Sequence, residues 1–358
     1  MADALSMPQG NILTRRRGRT GWDWTDWVSY LYLLLGVVVM LGPVVWLAVS
    51  SFKSPGNLSE SPPTPLPYAY RSVVVEGYDK PLNLYEVTME DGTVRQLAQV
   101  RRVGIQAQMV DPAEPDKLIP VSTREATPVR DLGINWSNYT DLFEPSRNVN
   151  IGRYAFNSVF ITVVATAITL IINAMAAFAL SKYRFRGRNA ALVAILATLM
   201  VPATVLLVPV FITVAAMGLV NNLWGVILPT VATPTGVFLL RQYMLTIPDE
   251  LIEAARMDHA SEWRIFWRII LPLSTPALAV VAIFSIIWRW NDFLLPLVVL
   301  SREHVFTLQL ALNSFKGENI IRYEYLLSMT VMTALPVILV FVFLQRFITS
   351  GIASTGIK

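Results

Sequence analysis

The chain has 358 residues with a formal net charge of +4; 54% of them are hydrophobic, 15% are charged, and the mean hydropathy is +0.50. Soluble domains carry about 25% charged residues, so this composition excludes an ordinary soluble protein and indicates a protein of the lipid bilayer, with no nucleic-acid partner. Because there are no cysteines and only two distant histidines, we expect neither disulfides, thiol catalysis nor a metal site.

Six apolar segments are long enough to cross a hydrocarbon core, which requires about 20 mostly apolar residues. They occupy residues 28–52, 154–180, 190–216, 223–245, 273–300 and 326–348. This pattern predicts an all-α membrane protein with six transmembrane helices, the last five of which lie within residues 154–349. Prolines occur inside several segments, and neighbouring helices of a bundle can satisfy the carbonyls that such prolines leave free.

The first helix, residues 28–52, follows a tail of residues 1–27 that is rich in arginine. A basic stretch followed by an apolar run also fits a cleavable signal peptide. The apolar run is longer than the roughly 7–15 residues typical of such peptides, so we expect it to be retained as a membrane helix.

The distribution of lysine and arginine predicts the orientation of the chain, because these residues are enriched on the cytoplasmic side of membrane proteins. The loops after spans two and four are basic, whereas the loop of residues 217–222 after span three has no charge. The basic residues in these loops, or at the end of the span before them, are Lys182, Arg184, Arg186, Arg188, Arg241, Arg256, Arg264 and Arg268. We therefore expect both termini, and the loop between spans four and five, to face the cytoplasm.

A soluble insert of residues 53–153 separates the first two spans. Two segments of alternating polarity, 83–89 and 93–100, flank the turn dipeptide Asp91-Gly92, which predicts a β-hairpin. A third strand is expected at 103–110. We expect this β-rich module outside the cytoplasm, where it either contacts a partner protein or has no specific partner.

A polar, amphipathic stretch lies between spans four and five, and we call residues 248–272 the EAA segment. Pro248 suits a first helical turn, and the two acidic residues after it complement the positive end of a helix dipole. The helical pattern breaks near residues 258–261, and Ser261 is placed to cap a second helix. The segment is therefore predicted to form a helix, a turn and a second helix.

The EAA segment resembles the EAA loop of ABC importer permeases, in particular the sugar-importer branch typified by the maltose permeases. The matching residues are Glu253, Ala254, Ala255, Asp258, Ala260, Ile269, Leu271 and Pro272. The family pattern has glycine six residues after the glutamate, where this chain has His259, and histidine is one of the few other residues enriched at positive φ. The resemblance implies a type I importer permease fold whose coupling helices, shaped at the turn by Asp258 and His259, dock on a separate ATPase. The alternative is an ordinary loop with a helical stretch.

The fifth span carries a polar cluster at residues 288–292, and its Trp-Asn-x-Phe-x-x-Pro pattern also resembles the sugar-permease branch. Ionisable residues in a bilayer usually face a cavity or a partner. The three-residue spacing of Arg289 and Asp292 predicts an ion pair on one helical face. The candidate substrate-pathway residues are Trp288, Arg289, Trp290, Asn291, Asp292, Asn157 and Asn173. The alternative is that these side chains anchor helices to one another.

The chain has no phosphate-loop motif and no arrangement of nucleophiles or carboxylates that suits an enzyme. We therefore expect no cofactor on this chain, with ATP and magnesium bound by a partner ATPase. Near and within the tail of residues 350–358, four residues resemble the sugar-permease tail that reaches into the ATPase dimer. They are Arg346, Gly351, Gly356 and Lys358. A solvated tail is the alternative.

The resemblance implies one permease subunit of an ATP-driven importer in the cell inner membrane, moving a sugar, glycoside or polyol by alternating access. Its expected partners are a second permease in a heterodimer, a homodimeric ABC ATPase and an extracytoplasmic solute-binding protein. One alternative is a secondary carrier, which weak inverted repeats and buried acidic residues would favour. The other is a membrane enzyme or sensor with an extracytoplasmic β module.

Overall fold

The computed structural model describes residues 24–78, 80–89, 92–123, 125–144, 150–315 and 322–353, the last ten of these by their backbone alone. The chain divides into two units, residues 1–47 and 48–358, and the boundary between them falls inside the first helix. The helices are α1 (Trp24–Ser50), α2 (Pro55–Leu58), α3 (Ser137–Thr140), α4 (Ile151–Lys182), α5 (Arg188–Ala197), α6 (Leu207–Ala216), α7 (Leu223–Ile227), α8 (Pro234–Met244), α9 (Glu250–Met257), α10 (Glu262–Ile265), α11 (Leu271–Leu273), α12 (Thr275–Trp290), α13 (Leu294–Val299), α14 (Leu308–Ser314) and α15 (Tyr323–Ala353).

The strands lie between α2 and α3, in the predicted insert. They are β1 (Tyr68–Tyr70), β2 (Ser72–Val73), β3 (Leu82–Thr88), β4 (Val94–Val103), β5 (Gln106–Asp111), β6 (Glu114–Ser122), β7 (Ala126–Pro128) and β8 (Arg130–Leu132). All pairings are antiparallel: β2 to β6 neighbour one another in chain order, β7 pairs with β3, and β1 pairs separately with β8.

The predicted hairpin is present as β3 and β4, with Thr88 opposite Val94 and Gly92 at φ +79° in the connection. Asp91 of the predicted turn lies outside the described residues. The third strand begins at Gln106 rather than at residue 103, because Gly104 at φ +63° turns the chain between β4 and β5. Positive φ costs glycine little, which is why these two turns fall at glycines.

Among the described residues, three helices are long and apolar enough to cross a membrane without interruption: α1, α4 and the Tyr323–Phe343 part of α15. Two bent pairs bring the number to five within the described residues, namely Leu223–Thr230 with Pro234–Met244 and Glu262–Leu273 with Thr275–Trp290. The bends are 44° and 76°. Each of the segments at 190–216, 223–245 and 273–300, which were predicted as spans, contains shorter helices with a break between them.

Proline accounts for two of these interruptions. Val201, before Pro202, is extended with ψ 119°, and Thr233, before Pro234, is extended with ψ 118°. The proline ring disfavours helical geometry in the preceding residue and removes a backbone donor. Pro234 occupies the first position of α8. An N–H at that position would have no hydrogen-bond partner within the helix, so proline is tolerated there.

Helix α4 packs against α8 and α12 through a face of small and polar residues, several of which have no exposed surface. Ala174 and Ala177 allow the helices to approach closely. Asn173 joins α4 to the start of α8 through two hydrogen bonds. Asn173 Nδ2 donates to Thr233 Oγ1 at 2.5 Å, and Thr233 N donates to Asn173 Oδ1 at 3.2 Å. Gly236 lies directly against this amide. Asn173 is thus a helix anchor.

Replacing Gly236 with alanine should loosen α8 from α4, because the new Cβ would lie 2.2 Å from Asn173 Nδ2 and 2.6 Å from Thr233 Oγ1. Overpacking costs about 1–3 kcal/mol, so we expect a lower unfolding temperature for the detergent-purified protein. Gly152→Ala is the matched control in an exposed helical position, where the nearest atom is Asn150 Oδ1 at 3.7 Å. Equal unfolding temperatures for the two variants would contradict this expectation.

Candidate functional site

The EAA segment begins with α9, an amphipathic helix with one buried and one exposed face. Ile252 and Ala255 are buried in an apolar cluster that includes Phe178 of α4. Glu253 and Ala254 are exposed, and 80% of the Met257 surface is exposed. The helix therefore buries one face, which includes Ala255, in a cluster that α4 shares, and it exposes Glu253 and Ala254 on the other face.

The turn after α9 is a Schellman cap centred on His259. The His259 N–H bonds to the Arg256 carbonyl at 3.0 Å, and the Ala260 N–H bonds to the Ala255 carbonyl at 3.0 Å. His259 lies in the left-handed region at φ +55°. These two bonds put His259 at the first position after the helix cap, which is most often glycine in other helices. His259 therefore adopts the backbone conformation expected of the family's glycine. Asp258 and His259 are exposed, and Ala260 is half-buried.

The predicted cap of the second helix is also present. Ser261 is extended at φ −67° and ψ 153°, and its Oγ accepts the Arg264 N–H at 3.3 Å. A π-helical turn at Phe266–Ile270 follows, in which the Leu271 N–H reaches the Phe266 carbonyl five residues back. Pro272 has no N–H for the next carbonyl, and the wider turn accommodates its ring. Leu271 is half-buried and Pro272 exposed.

Four polar residues tie the EAA segment to the end of α4. Lys182 Nζ forms an ion pair with Asp249 Oδ1 at 2.6 Å and also donates to the Ile247 carbonyl at 2.5 Å. The Tyr183 hydroxyl donates to Glu262 Oε2, and Arg256 Nε donates to Glu262 Oε1 at 2.9 Å. Lys182 and Arg256 were predicted only as topology-determining charges, and no sequence pattern pairs them with these acids.

The charge states of this network follow from its contacts. The hydrogen bond from Arg256 lowers the pKa of Glu262, and the hydrogen bond from Lys182 lowers the pKa of Asp249. Burial, together with the bond to Glu262, raises the pKa of Tyr183 to about 12. Both acids are therefore ionised near neutral pH while the tyrosine keeps the proton that it donates.

The polar cluster of the fifth span is centred on Arg289, which is only 6% exposed. Its guanidinium donates to Ser285 Oγ, to Thr169 Oγ1 at 2.7 Å and to the Thr230 carbonyl at 2.5 Å. The Thr230 carbonyl needs an outside donor because the residue four positions further on is Pro234, which has no N–H. Arg289 thus satisfies a carbonyl that a proline leaves free.

The predicted ion pair between Arg289 and Asp292 is absent, although both side chains are among the described residues. Helix α12 ends at Trp290, so the two residues no longer share a helical face. Asp292 instead lies at the start of α13, where its Oδ1 is 3.5 Å from the Leu295 nitrogen.

Two other candidates are also helix anchors. Trp290 is buried and its Nε1 donates to the Thr333 carbonyl at 2.9 Å. Asn157 Nδ2 donates to the backbone carbonyls of His304 and Phe306 at 3.1 and 3.0 Å. Asn157 and Trp290, like Asn173, therefore fit the role of joining helices to one another better than a role in a substrate pathway.

Two adjacent cavities meet at Thr230 and Asp292. One is an enclosed recess that Arg289 and Trp290 also line, and the other is an open groove beside Trp288. Trp288 is 52% exposed, and Asn291 is exposed with its Nδ2 donating to the Ile287 carbonyl at 2.8 Å. Of the seven predicted residues, the structure therefore brings Trp288, Arg289, Trp290 and Asp292 around these cavities. Thr169, Thr230 and Ser285 were missed, since isolated hydroxyl residues in apolar spans carry no distinguishing pattern.

The predicted tail residues fall at the edge of the structure. Gly356 and Lys358 lie outside the described residues, and Arg346 and Gly351 belong to the part of α15 described by its backbone alone.

The sequence profile of binding-protein-dependent transport system inner membrane components matches residues 168–354. The chain belongs to this family. The permease is 40% identical over 202 residues to the arabinooligosaccharides transport system permease protein AraQ of Halalkalibacterium halodurans, over 56% of this chain and 72% of the relative. It is 27% identical over 330 residues to the diacetylchitobiose uptake system permease protein NgcG of Streptomyces coelicolor, over 91% of this chain and 87% of the relative.

A solved chain from a bacterial ABC transporter involved in the import of the acidic polysaccharide alginate matches the permease with a TM-score of 0.63. The identity is 22%, and the match covers 91% of this chain and 99% of the solved chain. Together with the family match, this likeness confirms the predicted type I importer permease fold. Family membership also disfavours a secondary carrier or a membrane sensor.

The Schellman cap predicts opposite effects of two substitutions at His259. His259→Gly should retain or strengthen the turn, whereas His259→Val should weaken it, because left-handed geometry costs an L-residue about 1–2 kcal/mol and suits β-branched residues least. The measurement is hydrogen exchange at the Ala260 amide, which bonds to the Ala255 carbonyl. We expect protection to rank glycine at or above histidine and histidine above valine; valine protected like the wild type would contradict the assignment.

Removal of the buried guanidinium should destabilise the permease. Arg289→Met leaves the Thr230 carbonyl and the Thr169 hydroxyl without their donor, and each unsatisfied buried group costs about 1–3 kcal/mol. We expect faster thermal aggregation in detergent than for Arg302→Met, the same substitution at an exposed arginine. Identical aggregation profiles for the two variants would refute the anchoring role of Arg289.

Proposed function

We propose that this permease is one of two related transmembrane subunits of an ATP-driven importer that moves a sugar, glycoside or polyol into the cytoplasm by alternating access. The EAA segment is the observation that carries the proposal. Its apolar face is buried in a cluster that includes residues of α4, while Glu253, Ala254 and Met257 are exposed on the other face. A helix anchored on one side and exposed on the other suits docking to an ATPase.

The proposed topology has six spans of the cell inner membrane, in which α5 with α6, α7 with α8, and α12 with α13 form three interrupted spans. Irregular backbone at membrane depth is tolerated where it is buried or lines a cavity. Lys182 binds Asp249, so the end of α4 and the EAA segment share one side, and the arginines of residues 184–188 follow directly. Their positive charge supports a cytoplasmic side there, with both termini on that side and the β-rich insert on the other.

The open groove is the proposed part of the substrate pathway in this subunit. Trp288 offers a flat aromatic face, and Thr230 and Asp292 offer polar groups in the same groove, a combination that sugar recognition uses. Relatives named for arabinooligosaccharide and diacetylchitobiose transport support a saccharide. Arg289 holds the wall of the groove by fixing the Thr230 backbone.

Three kinds of partner complete the proposed machine. A homodimeric ABC ATPase would bind ATP and magnesium and receive the EAA segment, and the tail residues Arg346, Gly351, Gly356 and Lys358 would add a second contact. A related permease would supply the other half of the pathway and dock on the second ATPase subunit, as the two-fold symmetry of a homodimer allows. An extracytoplasmic solute-binding protein would deliver the substrate, with the β-rich insert as a candidate contact.

The coupling assignment is tested by reversing the charge of Glu253. Glu253→Lys places an unmatched charge on the exposed face of α9, so we expect loss of copurification with the coexpressed ATPase and loss of sugar uptake. Membrane insertion should be unchanged, because Glu253 makes no buried contact. The same substitution at Glu303, an exposed glutamate outside the EAA segment, is the control. Wild-type ATPase association and uptake in Glu253→Lys would refute the coupling assignment.

A further inference from the structure

Two consecutive residues at the end of α4 hold the two ends of α9. Lys182 binds Asp249, which immediately precedes α9, and Tyr183 binds Glu262, the first residue of α10 beyond the turn. Arg256, on α9 itself, shares the Glu262 carboxylate with Tyr183. Helix α9 is thus closed into a ring of bonds with the α4 terminus, and we call Lys182, Tyr183, Asp249 and Glu262 the α4 clasp.

The clasp is built to persist under cytoplasmic conditions. The Lys182 side chain is only 4% exposed, and its second bond to the Ile247 carbonyl fixes the ammonium on the backbone before α9. The Tyr183 ring packs edge-on against Phe178, with ring centroids 5.1 Å apart. Because the pKa of Tyr183 is raised to about 12 and the pKa of Glu262 is lowered, the donor stays protonated and the acceptor ionised at neutral pH.

Apolar packing and the clasp resist different movements of α9. The apolar cluster that Ile252 and Ala255 share with Phe178 of α4 transmits a push, because close-packed side chains cannot interpenetrate. Apolar contacts oppose a pull only through the non-directional cost of exposing apolar surface, and they leave α9 free to slide or tilt as it separates. The hydrogen bonds and the ion pair fix the orientation of α9 as well, because such bonds weaken steeply when the donor–hydrogen–acceptor angle departs from linear. Attachments at both ends of α9 also prevent it from pivoting about one end.

We propose that Lys182 and Tyr183 are positioning residues that make α4 follow the coupling helix when the ATPase pulls it, so that the clasp converts ATPase movement into movement of the transport pathway. This inference rests on the proposed docking of α9 to an ATPase. Four side chains outside the exposed face of α9 would thus transmit the pulling step of the transport cycle.

The test separates coupling from assembly. Lys182→Met and Tyr183→Phe remove the Nζ and the hydroxyl while keeping an unbranched apolar side chain and the aromatic ring. In the double variant, assembled with its ATPase, second permease and binding protein in liposomes, we expect normal association and ATP hydrolysis but about tenfold less solute imported per ATP. Tyr243→Phe, the same change on α8, is the matched control and should transport like the wild type.

Rescue by a cross-link distinguishes transmission from general destabilisation. Because the chain has no cysteine, Lys182→Cys and Asp249→Cys create a unique pair for a short bifunctional thiol reagent. In the Tyr183→Phe background, we expect the uncross-linked pair to be uncoupled and the cross-link to restore import per ATP. This comparison is made within one assembled variant, so it remains decisive if Lys182→Met with Tyr183→Phe does not assemble.

The outcomes separate this inference from the proposed function. Wild-type import per ATP in the double variant, or no recovery on cross-linking, overturns the clasp even when Glu253→Lys abolishes ATPase association. Wild-type association and uptake in Glu253→Lys instead overturns the coupling assignment on which the clasp depends.

Discussion

The buried face of α4 determines the position of most segments packed around it. An unpaired polar group in apolar surroundings costs several kcal/mol, so a polar residue that is paired on this face fixes the neighbour that satisfies it. The residues and their partners are Asn157 with the backbone of His304 and Phe306, Ser158 with the Leu308 amide, Thr166 with Ser285, Thr169 with Arg289, Asn173 with Thr233, and Lys182 with Asp249. One helix thereby connects the cavities at the polar cluster to the EAA segment.

Prolines shape the site because each one leaves a backbone group that must find another partner. Pro234 deprives the Thr230 carbonyl of its helical donor, and Arg289 supplies one from α12. The resulting break lets Thr230 line both the recess and the groove. Pro272 has the corresponding effect at the end of the EAA segment, where the chain passes through a π-helical turn before the 76° bend into α12. The interruptions are therefore part of the site that they border.

The sequence was sufficient for features that depend on neighbouring residues. The β3–β4 hairpin, the Ser261 cap and the helix–turn–helix of the EAA segment follow from local backbone preferences, and all three are present. His259 at φ +55° belongs to the same class, since the six-residue cap requires left-handed geometry at that position whichever residue occupies it. The Arg289–Asp292 pair was not predictable in this way, because its spacing argument assumed that α12 continues beyond Trp290.

The amino-acid sequence by itself determined that the chain lies in a membrane, where its apolar segments fall, and which loop carries the family motif, because composition, span length and the motif are properties of contiguous residues. Only the tertiary structure decided which polar side chains pair. Arg289 meets Thr169 from 120 positions away, and Tyr183 meets Glu262 from 79 positions away. Each of these pairs forms because one buried group lacks a donor or an acceptor after the helices have packed. Which groups are left in that state depends on the packing, so the pairs cannot be read from the sequence.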